Sequence, residues 1–266
     1  VDLFTDRAIE TSPGAPPYLS GLIRDQNDSP IDTPAKAEAY ANYLVETKLK
    51  MRNIEAPATN HKRAAYVEFA MIRNFSDAQA KKYSAIVHAY AAQHRVSPSL
   101  VFAVIRTESN FNPYAVSSAP AYGLMQLVPS SGGRDAYRKV KGTDAVPSPD
   151  YLFDVENNIE LGTAYLAVLT YNHLEVVQNE TSREYCVISA YNTGAGNVFK
   201  AFAPSRKDAI ASINATAPPL VYEKLRADLP YAETRAYLQS VIAHRKQFVS
   251  LTNEHTAGLT GTPSPP

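Results

Sequence analysis

Between Pro98 and Ser109 apolar residues recur at helical spacing: Val101, Val104 and Ile105 fall at i, i+3 and i+4. Ser97 followed by Pro98 predicts the helix start, a hydroxyl for an orphan backbone N–H and a proline preorganised for the first helical position. Asn112-Pro113 predicts a turn just beyond its end, because proline disfavours helical geometry in the preceding residue. The next position on the stripe, i+7, is Glu108. A carboxylate thus stands where the pattern requires hydrocarbon. Burial disfavours the charged form, so its pKa is expected to rise from ~4.3 toward ~6, the condition of a general acid near neutral pH. A structural glutamate paired with Arg106 or Arg134 fits the position equally well.

The remaining pattern divides the chain. Residues 1–75 predict a small α+β unit. Short strands are expected over Val1–Ile9 and Tyr18–Ile23, a helix from Pro34 to about Met51 on Ala37, Tyr40, Ala41 and Leu44, and a strand over Arg63–Arg73 on alternating Ala65, Val67, Phe69 and Met71. From Ser76 the periodicity turns helical. Ser76–His94 carries Tyr83, Ile86, Val87 and Tyr90 on one face; the Glu108 helix follows. Further helices are expected from Asn158, where Gly162 would permit close helix packing, over Ser182–Ala190, and over Pro230–Ser250. Pro129–Tyr151 reads as a long loop with one short helix near Asp135–Lys139, of a length that usually serves function and here would wall a cleft. Residues 252–266 are small, polar and proline-rich and predict a flexible tail. The expected architecture is therefore mainly α over residues 76–251, preceded by a partial α+β domain over residues 1–75.

Composition narrows the chemistry. Lys+Arg and Asp+Glu balance at 26 each, so no strong attraction to nucleic acid or anionic lipid is expected. The single cysteine, Cys186, lies in an apolar run and excludes an internal disulfide; a small buried hydrophobe is its expected role. The six histidines show no metal-ligand spacing, and no phosphate-binding or zinc-hydrolase motif is present, so neither cofactor nor metal is expected. No apolar run reaches membrane-spanning length. The chain begins at Val1 without a signal peptide, which suggests a cytosolic protein or a processed or truncated one.

Glu108-Ser109, Phe111-Asn112-Pro113, Ser117, Gly123-Leu124-Met125-Gln126, Tyr191-Asn192 and the Glu233-Thr234-Arg235-x-Tyr237 segment, in this order, resemble the signature of lytic transglycosylases with a goose-lysozyme-like catalytic domain. The resemblance spans roughly residues 80–250. A looser one, over Val1-Asp2-Leu3 and Leu44–Lys50 with the following strand, joins the first segment to the N-terminal domain of the membrane-bound lytic murein transglycosylase C family. It implies a chain that starts inside that domain.

The resemblance implies a lysozyme-like fold and non-hydrolytic cleavage of the β-1,4 bond between N-acetylmuramic acid and N-acetylglucosamine in peptidoglycan glycan strands. One glutamate, matched by Glu108, protonates the glycosidic oxygen and then acts as base on the muramoyl 6-hydroxyl, closing a 1,6-anhydro sugar. Ser117 matches a serine that orients substrate, Met125 and Gln126 match cleft positions, Tyr191 and Asn192 match an element whose tyrosine hydroxyl reaches toward the acid, and Tyr237 matches another cleft tyrosine. Taken alone, Ser117 is equally a turn residue, Met125 core, and Asn192 with Gly194 and Gly196 a helix terminator. Pro120-Ala121-Tyr122 before Gly123 departs from the family pattern and would reshape the cleft edge. The family also implies the periplasm and an outer-membrane lipid anchor, whose cysteine is not in this sequence.

Most glycosidases need a second carboxylate. Asp135, Asp144, Asp150, Asp154, Glu156 and Glu160 are not tied to Glu108 by helical spacing, which argues for a substrate hydroxyl as nucleophile. A goose-type lysozyme hydrolase and a catalytically silent peptidoglycan-binding module are the alternatives.

Overall fold

The computed structural model describes residues 19–54 and 62–259. The strand expected over Val1–Ile9 lies outside them, as does the end of the tail. The chain forms two compact units, Val1–Ala78 and Gln79–Pro266.

In the first unit, α1 (Pro34–Lys48) starts as expected, with Thr33 Oγ1 accepting from Lys36 N–H and proline in the first turn. It ends before an antiparallel hairpin of β1 (Lys50–Ile54) and β2 (Lys62–Tyr66), registered Lys50 to Tyr66 and Ile54 to Lys62. The expected strand over Arg63–Arg73 is thus cut at Tyr66, and β1 occupies residues read as helix end and polar connection. Among the described residues the sheet has two strands, and beyond Tyr66 Phe69 and Met71 stay exposed. Tyr18–Ile23 is not a strand either. Its described part is a turn through Gly21 (φ 73°), followed by isolated bridges from Ile23 to Met71 and Arg24 to Pro30. Among the described residues of this unit, Leu19, Leu22, Ile23, Ile31, Leu44 and Phe75 are buried and apolar.

The second unit is helical. α2 (Phe75–His94) leads into α3 (Pro98–Ser109), whose residues Ser99 to Ile105 are all buried. Ser97 caps differently from expectation: its hydroxyl pairs with Ser99 Oγ at 2.9 Å and bonds no backbone N–H. The short helix expected near Asp135–Lys139 is present, and the loop expected around it carries further helical turns. A π turn over Pro129–Gly133 runs into α4 (Arg134–Lys141), and α5 (Pro149–Phe153) follows after a short connection. Gly132 lies so close to the Tyr165 ring that a Cβ would stand 2.9 Å from it, so this glycine is in tertiary packing rather than punctuating a loop.

α6 (Val155–Val168) ends in a second π turn (Leu169–His173), and α7 (Glu180–Thr193) is capped by Asn179. Cys186 is buried in α7, its thiol pushed up to about 12 by burial. α8 (Ala195–Lys200), α9 (Arg206–Ala215) and α10 (Pro218–Asp228) connect to α11 (Ala232–Leu259). α11 packs along α3 more extensively than any other pair of elements touches. Phe248 of α11 reaches Phe102 at 5.6 Å and Phe111 at 6.0 Å between ring centroids. The tail expected from Thr252 is helical as far as Leu259.

Candidate active site

Glu108 occupies the last turn of α3. The helix stops one residue later because Asn110 and Phe111 are both left-handed, at φ 51° and 63°. Asparagine tolerates this conformation; phenylalanine does not, and Phe111 is held there by a fully buried ring against Tyr83 and Phe248.

Glu108 is part-buried. Loss of solvation pushes its carboxyl from 4.5 up to about 7; the Tyr237 hydroxyl beside it pulls the value down, and the charge of Glu233 pushes it up. Tyr237 lies on α11, 7% exposed, with its Oη buried and without a hydrogen bond of regular geometry. Its hydroxyl therefore approaches the carboxyl without closing a well-formed bond. Neither arginine considered above pairs with Glu108. Arg134 holds Asp144 with two bonds of 2.6 and 2.8 Å, and Arg106 has a buried Nε with no partner among the described residues.

The Gly123–Gln126 turn is fastened to the end of α3. Ser109, the residue after Glu108, donates its hydroxyl to the Leu124 carbonyl at 2.7 Å. Asn158, fully buried at the start of α6, accepts from Met125 N–H at 2.8 Å and donates to the carbonyls of Tyr122 (2.9 Å) and Leu152 (2.7 Å). Gly123 is required here: its φ is 78° and a Cβ would stand 2.3 Å from Asn158 Nδ2. Gly162 does not serve helix–helix packing; it accommodates Met125, whose Sδ would lie 2.2 Å from an added Cβ.

The other expected site residues divide. Met125 is fully buried, so its side chain is core. Gln126 spends its amide donors on the carbonyls of Ala115 (2.8 Å) and Gly123 (2.9 Å), closing the turn. Tyr191 is buried close enough for the Glu108 charge to act on it, yet its hydroxyl donates to the Met125 carbonyl at 2.8 Å rather than reaching toward the acid. Asn192 accepts from Thr234 Oγ1 at 2.7 Å, linking α7 to α11. Ser117 is exposed, its hydroxyl engaged with the Ala119 carbonyl and the Ala121 N–H of its own loop. Tyr122, in the departing tripeptide, bridges Val116 and Leu127 through its backbone and sets its ring edge-on to Phe153.

Of the six acids weighed above, all but the exposed Asp150 are engaged elsewhere. Asp144 pairs with Arg134, Asp135 with Arg138 and Glu160 with Lys141; Asp154 caps α6, and Glu156 accepts from the Tyr90 hydroxyl. The carboxylate that acts on Glu108 is Glu233, which the sequence reading did not single out. Its signal was its place four residues before Tyr237, one turn away on the same helix face. Asn158 was equally missed as a site-building residue; a fully buried amide among the apolar positions of α6 was the clue.

Comparison with known proteins completes the picture. The family described as "Transglycosylase SLT domain" matches residues 85–214. That described as "Membrane-bound lytic murein transglycosylase C, N-terminal domain" matches residues 1–82. Membrane-bound lytic murein transglycosylase C of Sodalis glossinidius (strain morsitans) is 41% identical over 248 residues, covering 93% of this chain and 68% of its own. Its counterpart in Klebsiella pneumoniae (strain 342) is 41% identical over 249 residues, with 93% and 67% covered. Among solved structures, the complex of the 70-kDa soluble lytic transglycosylase with bulgecin A aligns at a TM-score of 0.51 and 23% identity, over 67% of this chain and 26% of that one. This last likeness concerns the fold.

Proposed function

The chain belongs to the membrane-bound lytic murein transglycosylase C family and is a lytic murein transglycosylase, and we propose that Glu108 is its single acid/base. The observation that carries this reading is a carboxyl on α3 held near a pKa of about 7, with no cation paired to it among the described residues and with Tyr237 and Glu233 both acting on it. A group with that pKa holds a proton to give and, once ionised, is a base strong enough to take one.

In the proposed reaction the Glu108 proton passes to the glycosidic oxygen as the bond to the muramoyl anomeric carbon breaks. The Glu108 carboxylate then removes the proton of the muramoyl 6-hydroxyl, whose oxygen bonds to that carbon. The product is a 1,6-anhydro sugar, the acid is restored and no water is consumed. Tyr237, whose hydroxyl is beside the carboxyl, stabilises the ionised form between the two steps. Tyr191, Met125, Gln126 and Asn192 hold the cleft wall through the bonds described, and Ser117 on its exposed loop contacts the sugar. The chemistry falls to residues 76–251, with peptidoglycan as the partner; the even charge balance gives no strong attraction to nucleic acid.

A periplasmic location with attachment to the outer membrane fits the membrane-bound designation of the relatives; among the described residues no helix is long and apolar enough to cross a membrane. The test is mass spectrometry of muropeptides released from purified peptidoglycan. Anhydromuramoyl products that vanish with Glu108→Gln are expected. Reducing-end products, heavier by one water, would instead identify a hydrolase and direct attention to Glu233.

A further inference from the structure

A cavity of about 270 Å³ lies at the end of α3 remote from Glu108. Leu100 lines it in the first turn, and the eight residues from there to Glu108 span ~12 Å of helix. The opposite wall is formed by the first turns of α7 and by the π turn that ends α6.

Its polar groups are fixed in place. The Arg95 guanidinium lies over the Tyr171 ring at 5.2 Å, and the Tyr171 hydroxyl donates to the Arg95 carbonyl at 2.7 Å, so ring and cation are locked together. Arg95 adopts φ 55°, at the end of α2, where glycine is the usual residue. Arg183 gives Nε to the Val177 carbonyl at 2.7 Å and one terminal nitrogen to that of Gln178 at 3.4 Å, which orients the fork; among the described residues its other nitrogen bonds no acceptor. Glu184 is taken by Arg245, which also reaches Ser99. Glu180 is exposed in the first turn of α7, where it complements the helix dipole. Among the described residues neither it nor Arg95 forms an ion pair. Leu100 and Val187 form an apolar floor between these charges.

Two oriented guanidinium groups, one unpaired carboxylate and an aliphatic floor suit a small ligand bearing carboxylates, an ammonium group and short alkyl side chains. We propose that this cavity binds the free end of a peptidoglycan stem peptide, its carboxylates on Arg95 and Arg183 and its amine against Glu180. The proposal rests on the reading that the enzyme works on peptidoglycan. It adds a peptide contact, separate from the catalytic acid, through which uncrosslinked stems hold the enzyme on its substrate.

Isothermal titration calorimetry with stem tetrapeptide, freed of sugar by amidase digestion, tests it. Arg95→Gln and Glu180→Gln are both exposed changes and spare the core. Saturable binding to the wild type, weakened at least ~10-fold by each variant with unchanged melting temperature, is the expected result. No binding, binding indifferent to both variants, or binding displaced by a peptide-free chitooligosaccharide would overturn it. Cleavage of peptide-free glycan strands, run in parallel, should be equal in all three proteins. Its absence in the wild type would count against the catalytic reading, because the calorimetry requires no turnover.

Discussion

Tyr191 donates its hydroxyl to the main-chain carbonyl of Met125 at 2.8 Å, across 66 residues of sequence. This bond, not one to Glu108, is where the buried hydroxyl is spent. It makes Tyr191 part of the frame that positions the Gly123–Gln126 turn beside the acid. Tyr191→Phe leaves the Met125 carbonyl buried and one partner short, which costs ~1–3 kcal/mol. A fall in melting temperature with partial retention of anhydromuropeptide release is expected, in contrast to the complete loss for Glu108→Gln. Unchanged stability with complete loss of activity would mean that the hydroxyl acts on substrate instead.

Two neighbours push the Glu108 proton in opposite directions, and the pH profile should report both. Activity that requires protonated Glu108 falls as pH rises through about 7. Glu233→Gln removes a repulsive charge, so the midpoint should move to lower pH. Tyr237→Phe removes a hydroxyl that favours the ionised form, so it should move to higher pH. Initial rates of glycan release between pH 4.5 and 9 measure this; midpoints shifting together in one direction would contradict the assignment.

The same raised pKa makes stability depend on pH. Folded Glu108 binds its proton more tightly than the unfolded chain, whose value is near 4.5. The stabilising contribution is complete below that value and is lost as pH rises through about 7. From the size of the shift it amounts to about 3 kcal/mol as an order of magnitude. Glu108→Gln cannot ionise, so the melting temperature of the wild type should drop relative to the variant across this interval. A constant difference between the two, followed by scanning calorimetry at several pH values, would show that the carboxyl is not perturbed.

Asn158 is expected to be the most sensitive site-building residue outside the cleft. Its amide meets three backbone groups of the Tyr122–Met125 segment and Leu152. Asn158→Leu preserves the volume and strands all three, with an expected loss of at least ~3 kcal/mol in denaturant unfolding. A loss under ~1 kcal/mol would show that water replaces the amide.

The helix bearing Glu108, its start at Pro98 and the anomaly of a carboxylate on its apolar stripe were legible in the sequence because helical periodicity is local: residues three and four apart share a face whatever surrounds them. The order of the motifs was legible for the same reason. Within Pro129–Tyr151 the short helix near Asp135–Lys139 was legible, but the turn before it was not, because Gly132 and Gly133 read as loop punctuation, whereas Gly132 is a place where backbone meets the ring of Tyr165. α9 and α10 were passed over, although Ser205 capping Asp208 and the Pro218-Pro219 start of α10 carry ordinary helix signals.

What the sequence alone marked is the carboxylate proposed to hold the proton, Glu108, and the helix that carries it. The tertiary structure decided which groups act on it: Tyr237 rather than Tyr191 beside the carboxyl, Glu233 rather than any loop acid as the neighbouring charge, and Asn158 as the anchor of the turn. The direction of a hydroxyl or amide is set by the nearest unsatisfied partner in space. Here those partners stand 66 residues away for Tyr191 and 33 for Asn158, and only the packing of α3, α6, α7 and α11 brings them together.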